Sequence, residues 1–356
     1  MITEQARIKI EKVSTSKLHN LAEEDLQFGK VFTDHMFVAD YIDGEWTNFK
    51  ITPYQNLSMS PATSFIHYGQ SIFEGLKAHT GQDGKVYLFR PQANIKRMAM
   101  SATRMCMPPF PEDLFLEALK ELLSLDKAWM PKKDGSSMYI RPFMFGTDEY
   151  LGVKASDNYR FMIILSPSGS YYKNPVKVKI ETNFTRAVAG GTGYAKFAGN
   201  YAGSMYPAKL AAEEGYQQLI WTDGKYHRNI EESGTMNLML VIDGVLVTPK
   251  LNDTILKGVT RDSILTIVRD WGVTVEERTI SVEEIVKALE AKTLEEAFGV
   301  GTAATIAQIS TIGYEGKDYE LPNVADRKIS GKLSKYLEDY KRARVQDKYH
   351  FLEVIE

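Results

Sequence analysis

The chain has 356 residues, of which 44% are hydrophobic and 25% are charged, and its formal net charge is −3. This composition is typical of a globular protein that is long enough to form two hydrophobic cores. The small negative charge argues against a protein that binds nucleic acid or anionic lipid through a basic surface. The sequence also contains no uninterrupted apolar run long enough to span a bilayer.

Cysteine and histidine give no sign of a metal site. The only cysteine is Cys106, so neither an internal disulfide nor a cysteine metal cluster can form, and the six histidines lack metal-ligand spacing. The first 18 residues are polar and lack the apolar region of a signal peptide. These features favour a reducing, cytoplasmic setting. Cys106 has apolar neighbours in RMCMPPF, so we expect a buried thiol.

The first half of the chain mixes strand and helix patterns. The dipeptide Asp43-Gly44 separates two apolar and aromatic runs, which predicts a hairpin over 36–49. Strand patterns also occupy the segments 85–90, 137–146 and 159–167. Helical periodicity predicts helices over 61–78, 93–105 and 111–125.

A segment rich in Ser, Gly, Pro and Tyr, 166–176, is typical of a linker. Beyond it, strands are predicted at 176–187, 216–224 and 237–249, with Asp243-Gly244 as a second hairpin signal. Helices are predicted at 200–214, at 261–271, after a capping box of Ser281 and Glu284, and at 329–345. The pattern therefore predicts an α+β protein with a smaller N-terminal domain over 1–165 and a larger C-terminal domain over 177–356.

Lys196 stands in an unusual stretch, GGTGYAKFAGNYAGS, at 190–204. Its neighbours are glycines, alanines and aromatic residues, with no carboxylate among them. A solvated lysine in a flexible surface loop is one interpretation, because lysine is rarely buried without a partner. The other interpretation is a lysine held beside a bound ligand, with an amine that forms an imine.

An imine-forming lysine requires an aldehyde, and pyridoxal phosphate (PLP) is the obvious cofactor. PLP needs helix N-terminal amides and a cation for its phosphate, an acid for its pyridine nitrogen and a donor for its phenolic oxygen. The sequence offers a helix start at Gly258-Val259-Thr260, an acidic pair at Glu231-Glu232 and a turn of small residues at Thr302-Ala303. Each of these motifs by itself also fits a plain helix cap, a solvated acidic face or tight packing.

Together the motifs resemble the branched-chain amino acid aminotransferases, which are PLP enzymes of fold type IV with the D-amino acid aminotransferase-like fold. The resemblance rests on GGTGYAKFAGNYA, EESGTMN, LKGVTRD and GVGTAA, and earlier in the chain on FIHYGQSIFEGLKA, YLFRPQANIKRM and YIRPFMFG. It covers roughly residues 35–320. It implies two α+β domains with the active site at their interface, in a homodimer whose sites borrow a loop across the subunit interface.

The resemblance also implies a role for each matching residue. Lys196 forms the imine with PLP, Glu232 pairs with the pyridine nitrogen, and Tyr201 donates to the phenolic oxygen. Glu231 is expected to be exposed. The phosphate is bound by Arg97, the amides of Val259 and Thr260, and Thr302. The substrate side is lined by Tyr68, Phe73, Tyr139, Arg141, Tyr171 and Ala303.

The implied reaction is reversible, ping-pong transfer of an amino group between L-leucine, L-isoleucine or L-valine and 2-oxoglutarate. An apolar cage would bind the branched side chains, while Arg141 with Tyr68 and Tyr139 would hold the carboxylate of glutamate. A D-amino acid aminotransferase and an aminodeoxychorismate lyase are alternatives, because a fold does not fix a function. A non-catalytic PLP- or ligand-binding protein is an alternative of another class. The YIRP, FEG and GTA segments together favour the branched-chain group.

Overall fold

The computed structural model describes residues 8–21, 26–172 and 174–355. In chain order the strands are β1 Lys9–Ile10, β2 His35–Ile42, β3 Glu45–Pro53, β4 Ser71–Phe73, β5 Leu76–Thr80, β6 Val86–Phe89, β7 Ser137–Gly146, β8 Tyr159–Ser168, β9 Val176–Glu181, β10 Gln218–Thr222, β11 Ile230–Ser233, β12 Met236–Ile242, β13 Val245–Pro249, β14 Val275–Arg278, β15 Leu294–Gly301, β16 Thr305–Tyr314, β17 Lys317–Glu320 and β18 Leu352–Ile355.

The α-helices are α1 Ser64–Tyr68, α2 Pro91–Arg104, α3 Glu112–Leu125, α4 Ala198–Ala202, α5 Met205–Glu213, α6 Val259–Asp270, α7 Val282–Glu290 and α8 Ile329–Lys341. Short 3₁₀ turns occupy Leu18–Asn20, Lys127–Trp129 and Val324–Asp326. Within the described ranges, no helix combines the length and the apolar character that crossing a membrane would require.

The chain separates into two compact units that are not consecutive in sequence. The first contains the described residues up to Tyr171, the short segment Lys196–Ala198 and the described residues from Glu338 onward. The second contains Tyr172–Ala195 and Gly199–Leu337. The predicted linker over 166–176 includes Lys173, which lies outside the described residues.

The first unit is built on a mixed sheet in the order β1-β3-β2-β8-β7-β5-β6-β18, with β4 paired to β7. The predicted hairpin between β2 and β3 is confirmed. Asp43 has φ 53° and Gly44 has φ 86°, and two positive φ values in a two-residue turn match the twist of the flanking strands. The strands predicted as β7 and β8 are also confirmed and pair antiparallel along their whole length.

Helices α2 and α3 confirm the two helical patterns that precede β7. Helix α3 buries Phe115, Ala118, Leu119 and Leu122 at the spacing of one helix face, in the same core cluster as the sheet. In that core the ring of Phe161 stacks on the ring of Phe110 with centroids 4.1 Å apart. The core therefore joins the helices to the central strand β8.

The helix predicted over 61–78 is wrong over most of its length. Only the five residues of α1 are helical, and Gly69 ends that helix with φ 69°. The residues that follow form β4 and β5, and both strands pair with β7. Pairing with a neighbouring strand satisfies backbone groups that a helix would satisfy internally, and the local sequence does not reveal that partner.

Cys106 is exposed, so the predicted burial of its thiol is wrong. The residue lies in the turn after α2 with φ 56°, and its carbonyl oxygen accepts a hydrogen bond from the Tyr159 hydroxyl at 3.1 Å. The next residue, Met107, is buried in the core instead. Because of this turn, the Met107 side chain points into the core and the Cys106 side chain points outward.

The second unit contains a sheet that closes on itself. The strands run in the order β11-β10-β9-β16-β15-β12, and β11 also pairs with β12. Strands β13 and β14 continue beyond β12, and the predicted hairpin between β12 and β13 is confirmed by Asp243 with φ 49° and Gly244 with φ 77°. Closure leaves β11 paired on both sides.

The helices of the second unit follow their local signals closely. Helix α6 begins directly after Gly258, and the Ser281 Oγ accepts the Glu284 amide at 3.0 Å as the N-cap of α7. Helix α8 confirms the amphipathic pattern at 329–345. The helix predicted over 200–214 is instead divided into α4 and α5 at Gly203-Ser204.

We expect the first core to depend on Ile51, which is fully buried in β3, far more than on Ile42, which is 47% exposed in β2. Ile51→Ala should lower the free energy of unfolding by about 2–5 kcal/mol, because the lost methyl groups leave a cavity. Ile42→Ala, the same chemical change on the neighbouring strand, should lower it by about 0.5 kcal/mol or less. Urea unfolding measures both, and equal losses would contradict the assigned core.

Candidate functional site

Two backbone hydrogen bonds and a contact with an aromatic ring hold Lys196 in the first unit. Its carbonyl oxygen accepts the Phe73 amide at 3.0 Å, and its own amide donates to the Ser101 Oγ at 2.9 Å. The next residue, Phe197, forms an isolated β-bridge with Ile72. The Lys196 Nζ lies 4.7 Å from the centroid of the Phe73 ring. The stretch around this lysine is therefore anchored and does not behave as a free surface loop.

Arg97 lies against the carboxylate of Glu74, which belongs to the FEG motif but has no role assigned to it from the sequence. The Arg97 Nε donates to the Glu74 Oε1 at 2.7 Å and the Nη2 to the Oε2 at 2.8 Å, while Asn94 donates to the Oε2 at 2.8 Å. Glu74 is 0% exposed and Arg97 is 8% exposed. Burial by itself raises the pKa of the Glu74 carboxyl, but Arg97, Lys196 and Asn94 outweigh it and hold that pKa below its usual value.

Tyr139 and Arg141 of β7 contact each other beside the end of β4. The Arg141 Nη2 donates to the Tyr139 hydroxyl at 3.0 Å, and the guanidinium carbon lies 4.7 Å from the centroid of the Phe73 ring. A side chain at Gly75 would overlap the Tyr139 hydroxyl. Glycine at position 75 therefore lets Tyr139 lie directly against the backbone.

Tyr139 belongs to a group of three aromatic rings in contact with one another through Phe28. The Phe28 ring lies 4.6 Å from the Tyr139 ring and 4.9 Å from the Tyr171 ring, centroid to centroid. Phe28 was missed because a single aromatic residue in a loop has no periodic signal. Tyr68, the last residue of α1, is 40% exposed, and within the described ranges no hydrogen bond or ring contact joins it to this group.

In the second unit, Glu232 is 3% exposed and surrounded by donors. Its Oε2 lies 2.9 Å from the Arg186 Nη2, and its Oε1 accepts the Asn237 Nδ2 and the Leu256 amide, both at 3.0 Å. Arg186 was missed because its segment was predicted to continue β9 as a strand, whereas β9 ends at Glu181. Arg186 and Glu232 are far apart in the sequence, so local sequence patterns do not reveal that they pair.

Glu231 is buried, so the prediction that it is exposed is wrong. It is 6% exposed, and its Oε1 accepts a hydrogen bond from the Thr254 hydroxyl. Adjacent residues of a strand point to opposite faces, and both faces of β11 are covered in the closed sheet. Burial raises the pKa of the Glu231 carboxyl, partly offset by Thr254 and Arg186.

Tyr201 and Glu232 line one pocket of the second unit. The pocket also includes Arg186, Asn200 and Leu256. The Asn200 Nδ2 donates to the carbonyl oxygens of Thr192 at 2.8 Å and Ala195 at 3.0 Å, which fixes the loop that forms the pocket wall. A hydroxyl and a carboxylate thus face the same small space.

The N-terminus of α6 is linked to Glu232 through Asn237. Gly258 is the N-cap of α6, and a side chain there would overlap the Asn237 Oδ1, the same amide group that donates to Glu232. Val259 and Thr260, which follow Gly258, are buried in the first turn. Amides in a first helical turn have no acceptor within the helix, so this end favours an anion.

The Thr302-Ala303 turn follows β15 at the end of the sheet where Asn237 lies. Val300 of β15 pairs with Asn237 of β12, and the turn begins two residues later. Thr302 and Ala303 are partly exposed, and Thr305 closes the turn with φ 61°. The turn therefore places the Thr302 hydroxyl at this sheet end.

Comparisons with known proteins show the family of the chain. The family model described as class IV amino-transferase matches residues 71–312. The chain is 45% identical over 346 residues to branched-chain-amino-acid aminotransferase 2 of Bacillus subtilis, over 96% of this chain and 95% of that protein. It is 40% identical over 334 residues to the branched-chain-amino-acid aminotransferase of Mycolicibacterium smegmatis, over 91% of each chain.

Solved structures share the fold. The branched-chain aminotransferase of Thermoproteus uzoniensis with norvaline has a TM-score of 0.75 at 24% identity, over 90% of this chain and 100% of that one. The Escherichia coli branched-chain amino acid aminotransferase has a TM-score of 0.73 at 23% identity, over 91% and 99%. The predicted α+β fold, of fold type IV, is confirmed.

We predict that Glu231→Gln changes how stability depends on pH. The folded pKa of Glu231 is raised, so the wild-type protein loses stability as the pH rises from the usual carboxyl pKa of about 4.3 to the raised folded value. Glutamine removes that loss and still accepts the Thr254 hydroxyl. The variant should therefore gain stability relative to wild type with rising pH, as urea unfolding from pH 4 to 8 measures.

Glu121→Gln is the matched control, because Glu121 is exposed on α3. Its unfolding curve should keep the wild-type dependence on pH. A Glu231→Gln profile parallel to wild type across the whole range would contradict a raised pKa at this carboxyl.

Proposed function

The chain belongs to the class IV aminotransferases, among the branched-chain amino acid aminotransferases, and on that premise we propose that it transfers amino groups between L-leucine, L-isoleucine or L-valine and 2-oxoglutarate. The products are branched 2-oxo acids and L-glutamate, and the reaction is reversible. The observation that carries the proposal is the lysine of the matched region, Lys196, which is anchored by backbone hydrogen bonds to Phe73 and Ser101. A lysine whose backbone is anchored presents its amine from a fixed position, which suits amino transfer through PLP.

The residues of each unit fit a part of PLP. In the first unit, Arg97 supplies a cation for the phosphate and Lys196 supplies the amine. In the second unit, the buried Glu232 is an acid suited to a ring nitrogen, and Tyr201 adds a hydroxyl to the same pocket. We assign the remaining phosphate contacts to the amides of Val259 and Thr260 at the start of α6 and to Thr302.

Bound PLP supplies an aldehyde carbon that carries the amino group and a ring that withdraws electrons. The Lys196 Nζ acts as the base that takes the proton from the substrate α-carbon and later returns a proton. Glu232 keeps the ring nitrogen protonated through its negative charge. Arg186 and Asn237 hold that carboxylate in place, because Arg186 forms an ion pair with one of its oxygens and Asn237 donates a hydrogen bond to the other.

Arg141 is suited to binding a substrate carboxylate. Guanidinium groups bind carboxylates through paired hydrogen bonds, and the contacts with Phe73 and Tyr139 fix this guanidinium. The aromatic residues around it offer apolar area to a branched side chain, and one methylene changes selectivity by only about 1–3 kcal/mol. Overlapping use of leucine, isoleucine and valine follows. The other residues assigned to the substrate side are Tyr68, Tyr171 and Ala303.

We further propose a homodimer in the cytoplasm that acts on small molecules and needs neither nucleic acid nor a membrane. Closed two-fold dimers are the commonest oligomers, and a single cysteine suits a reducing compartment. Sedimentation of the purified protein tests the dimer. The division into domains over 1–165 and 177–356 belongs to the same proposal.

A visible absorption spectrum tests the function directly. The purified protein with PLP should show an absorption band that bleaches with L-leucine in the absence of any keto acid and returns with 2-oxoglutarate. A band that ignores L-leucine and bleaches with a D-amino acid would assign the protein to the alternative enzymes of this fold. No band after addition of PLP would refute the function.

Lys196→Ala should remove the base and lower the rate of amino transfer roughly a thousandfold or more, since a positioned base contributes about 10²- to 10⁴-fold and this amine also holds the cofactor. Stopped-flow measurement of the L-leucine half-reaction quantifies the loss. Lys209→Ala is the control, because Lys209 is exposed on α5. Undiminished transfer in Lys196→Ala would rule out this lysine as the base.

Arg141→Met should raise the KM for 2-oxoglutarate more than the KM for L-leucine, because 2-oxoglutarate carries a second carboxylate. We expect roughly a tenfold or larger change in the ratio, as a hydrogen bond to a charged group contributes about 1.5–3 kcal/mol. Arg160→Met is the matched control, since Arg160 lies on β8 and pairs with Asp40. Equal changes in both KM values would leave Arg141 without a role in separating the two substrates.

A further inference from the structure

Three consecutive residues of the first unit, the FEG segment Phe73-Glu74-Gly75, each contact a different residue of the candidate site. The Phe73 amide donates to the Lys196 carbonyl oxygen at 3.0 Å. The Glu74 carboxylate accepts both hydrogen bonds of the Arg97 pair. Gly75 lies under the Tyr139 hydroxyl. The segment therefore connects the lysine, the phosphate-binding cation and the substrate side.

Glu74 is the charged residue of this segment. Because it is fully buried, its negative charge must be neutralised by partners. Its carboxylate accepts Arg97 twice, the Asn94 Nδ2 and the amide of Gly75 at 3.1 Å, so both oxygens are engaged. Its own amide donates to the Pro142 carbonyl oxygen at 2.8 Å. The carboxylate is thereby fixed from both its backbone and its side chain.

The bidentate geometry restricts Arg97 more than a single contact would. Two parallel hydrogen bonds define the plane of a guanidinium as well as its distance. Arginine otherwise has several freely rotating bonds, and ordering them on binding an anion costs affinity. A guanidinium that is already ordered by Glu74 binds a phosphate without that cost.

We propose that Glu74 is a positioning residue for the cofactor: it orders Arg97 for the phosphate of PLP and joins that contact to the strand that holds Lys196. This inference rests on the proposed function. A positioning role through Arg97 predicts weaker binding of the phosphate group. A purely structural ion pair would predict equal effects on ligands with and without a phosphate. Pyridoxal, which lacks the phosphate but keeps the aldehyde and the ring, is therefore the matched probe.

The test titrates the apo forms of wild type and Glu74→Gln with PLP and with pyridoxal, following the absorption band for the dissociation constants. Glutamine keeps the size of the side chain but presents an amide to the Arg97 donors. We expect the Kd for PLP to rise roughly 10- to 100-fold, by analogy with the loss seen when the hydrogen-bond partner of a metal-binding side chain is removed. The Kd for pyridoxal should rise much less than the Kd for PLP, because only the small effect of the Glu74 charge on Lys196 acts on both probes.

Glu296→Gln controls for the loss of any buried carboxylate. Glu296 is also buried, and it accepts the Ile329 and Ser330 amides at the start of α8. This variant should lose stability in thermal unfolding while keeping the wild-type ratio of the two Kd values. If Glu74→Gln does not fold, the Kd values for PLP and pyridoxal are compared in Glu74→Asp instead. Aspartate keeps the negative charge but places it one methylene closer to the backbone.

A double-mutant cycle with Arg97→Met tests whether Glu74 acts through Arg97. In the Arg97→Met background, Glu74→Gln should cause no further loss of PLP affinity. Additive losses, or equal losses for PLP and pyridoxal, would overturn the positioning role. A wild-type protein that binds neither probe would instead refute the proposed function, so the two failures are distinguishable.

Discussion

The first unit depends on how it neutralises one fully buried carboxylate, that of Glu74. A charge removed from water is costly unless it is paired and fully hydrogen-bonded, and removing one partner of such a pair costs about 3–5 kcal/mol. Arg97 and Asn94 of α2 supply the donors, so the ion pair also fixes that helix against the turn between β4 and β5. Lys196 and Tyr139 are both held by the residues next to this carboxylate.

The second unit also neutralises a buried carboxylate, that of Glu232, but with other residues. Glu232 is satisfied by Arg186, Asn237 and the Leu256 amide, and Gly258 allows the start of α6 to approach Asn237 closely. Both faces of β11 are buried, and the neighbouring carboxylate of Glu231 is buried as well, with Thr254 donating to it. Each unit therefore fixes a carboxylate by donors from several elements, and each carboxylate adjoins residues assigned to PLP.

These arrangements explain why a small set of residue types suffices for amino transfer. The chemistry of PLP requires a base, an acid for the ring nitrogen and a site for the phosphate. Lys196, Glu232 and Arg97 are the assigned groups, and the surrounding hydrogen bonds restrict their positions. Binding energy is then not spent on ordering the side chains, which is the general advantage of a preorganised site.

The sequence by itself determined the elements and residues whose signals are local. The two Asp-Gly hairpins, the helices α2, α3, α6 and α8, and the motifs that identify the family all follow from neighbouring residues. Only the tertiary structure decided that the residues after α1 form β4 and β5, that Glu231 is buried, and that Arg186, Phe28 and Glu74 adjoin the site. The physical reason is that strand pairing, burial and charge neutralisation depend on partners distant in sequence, which local periodicity does not register.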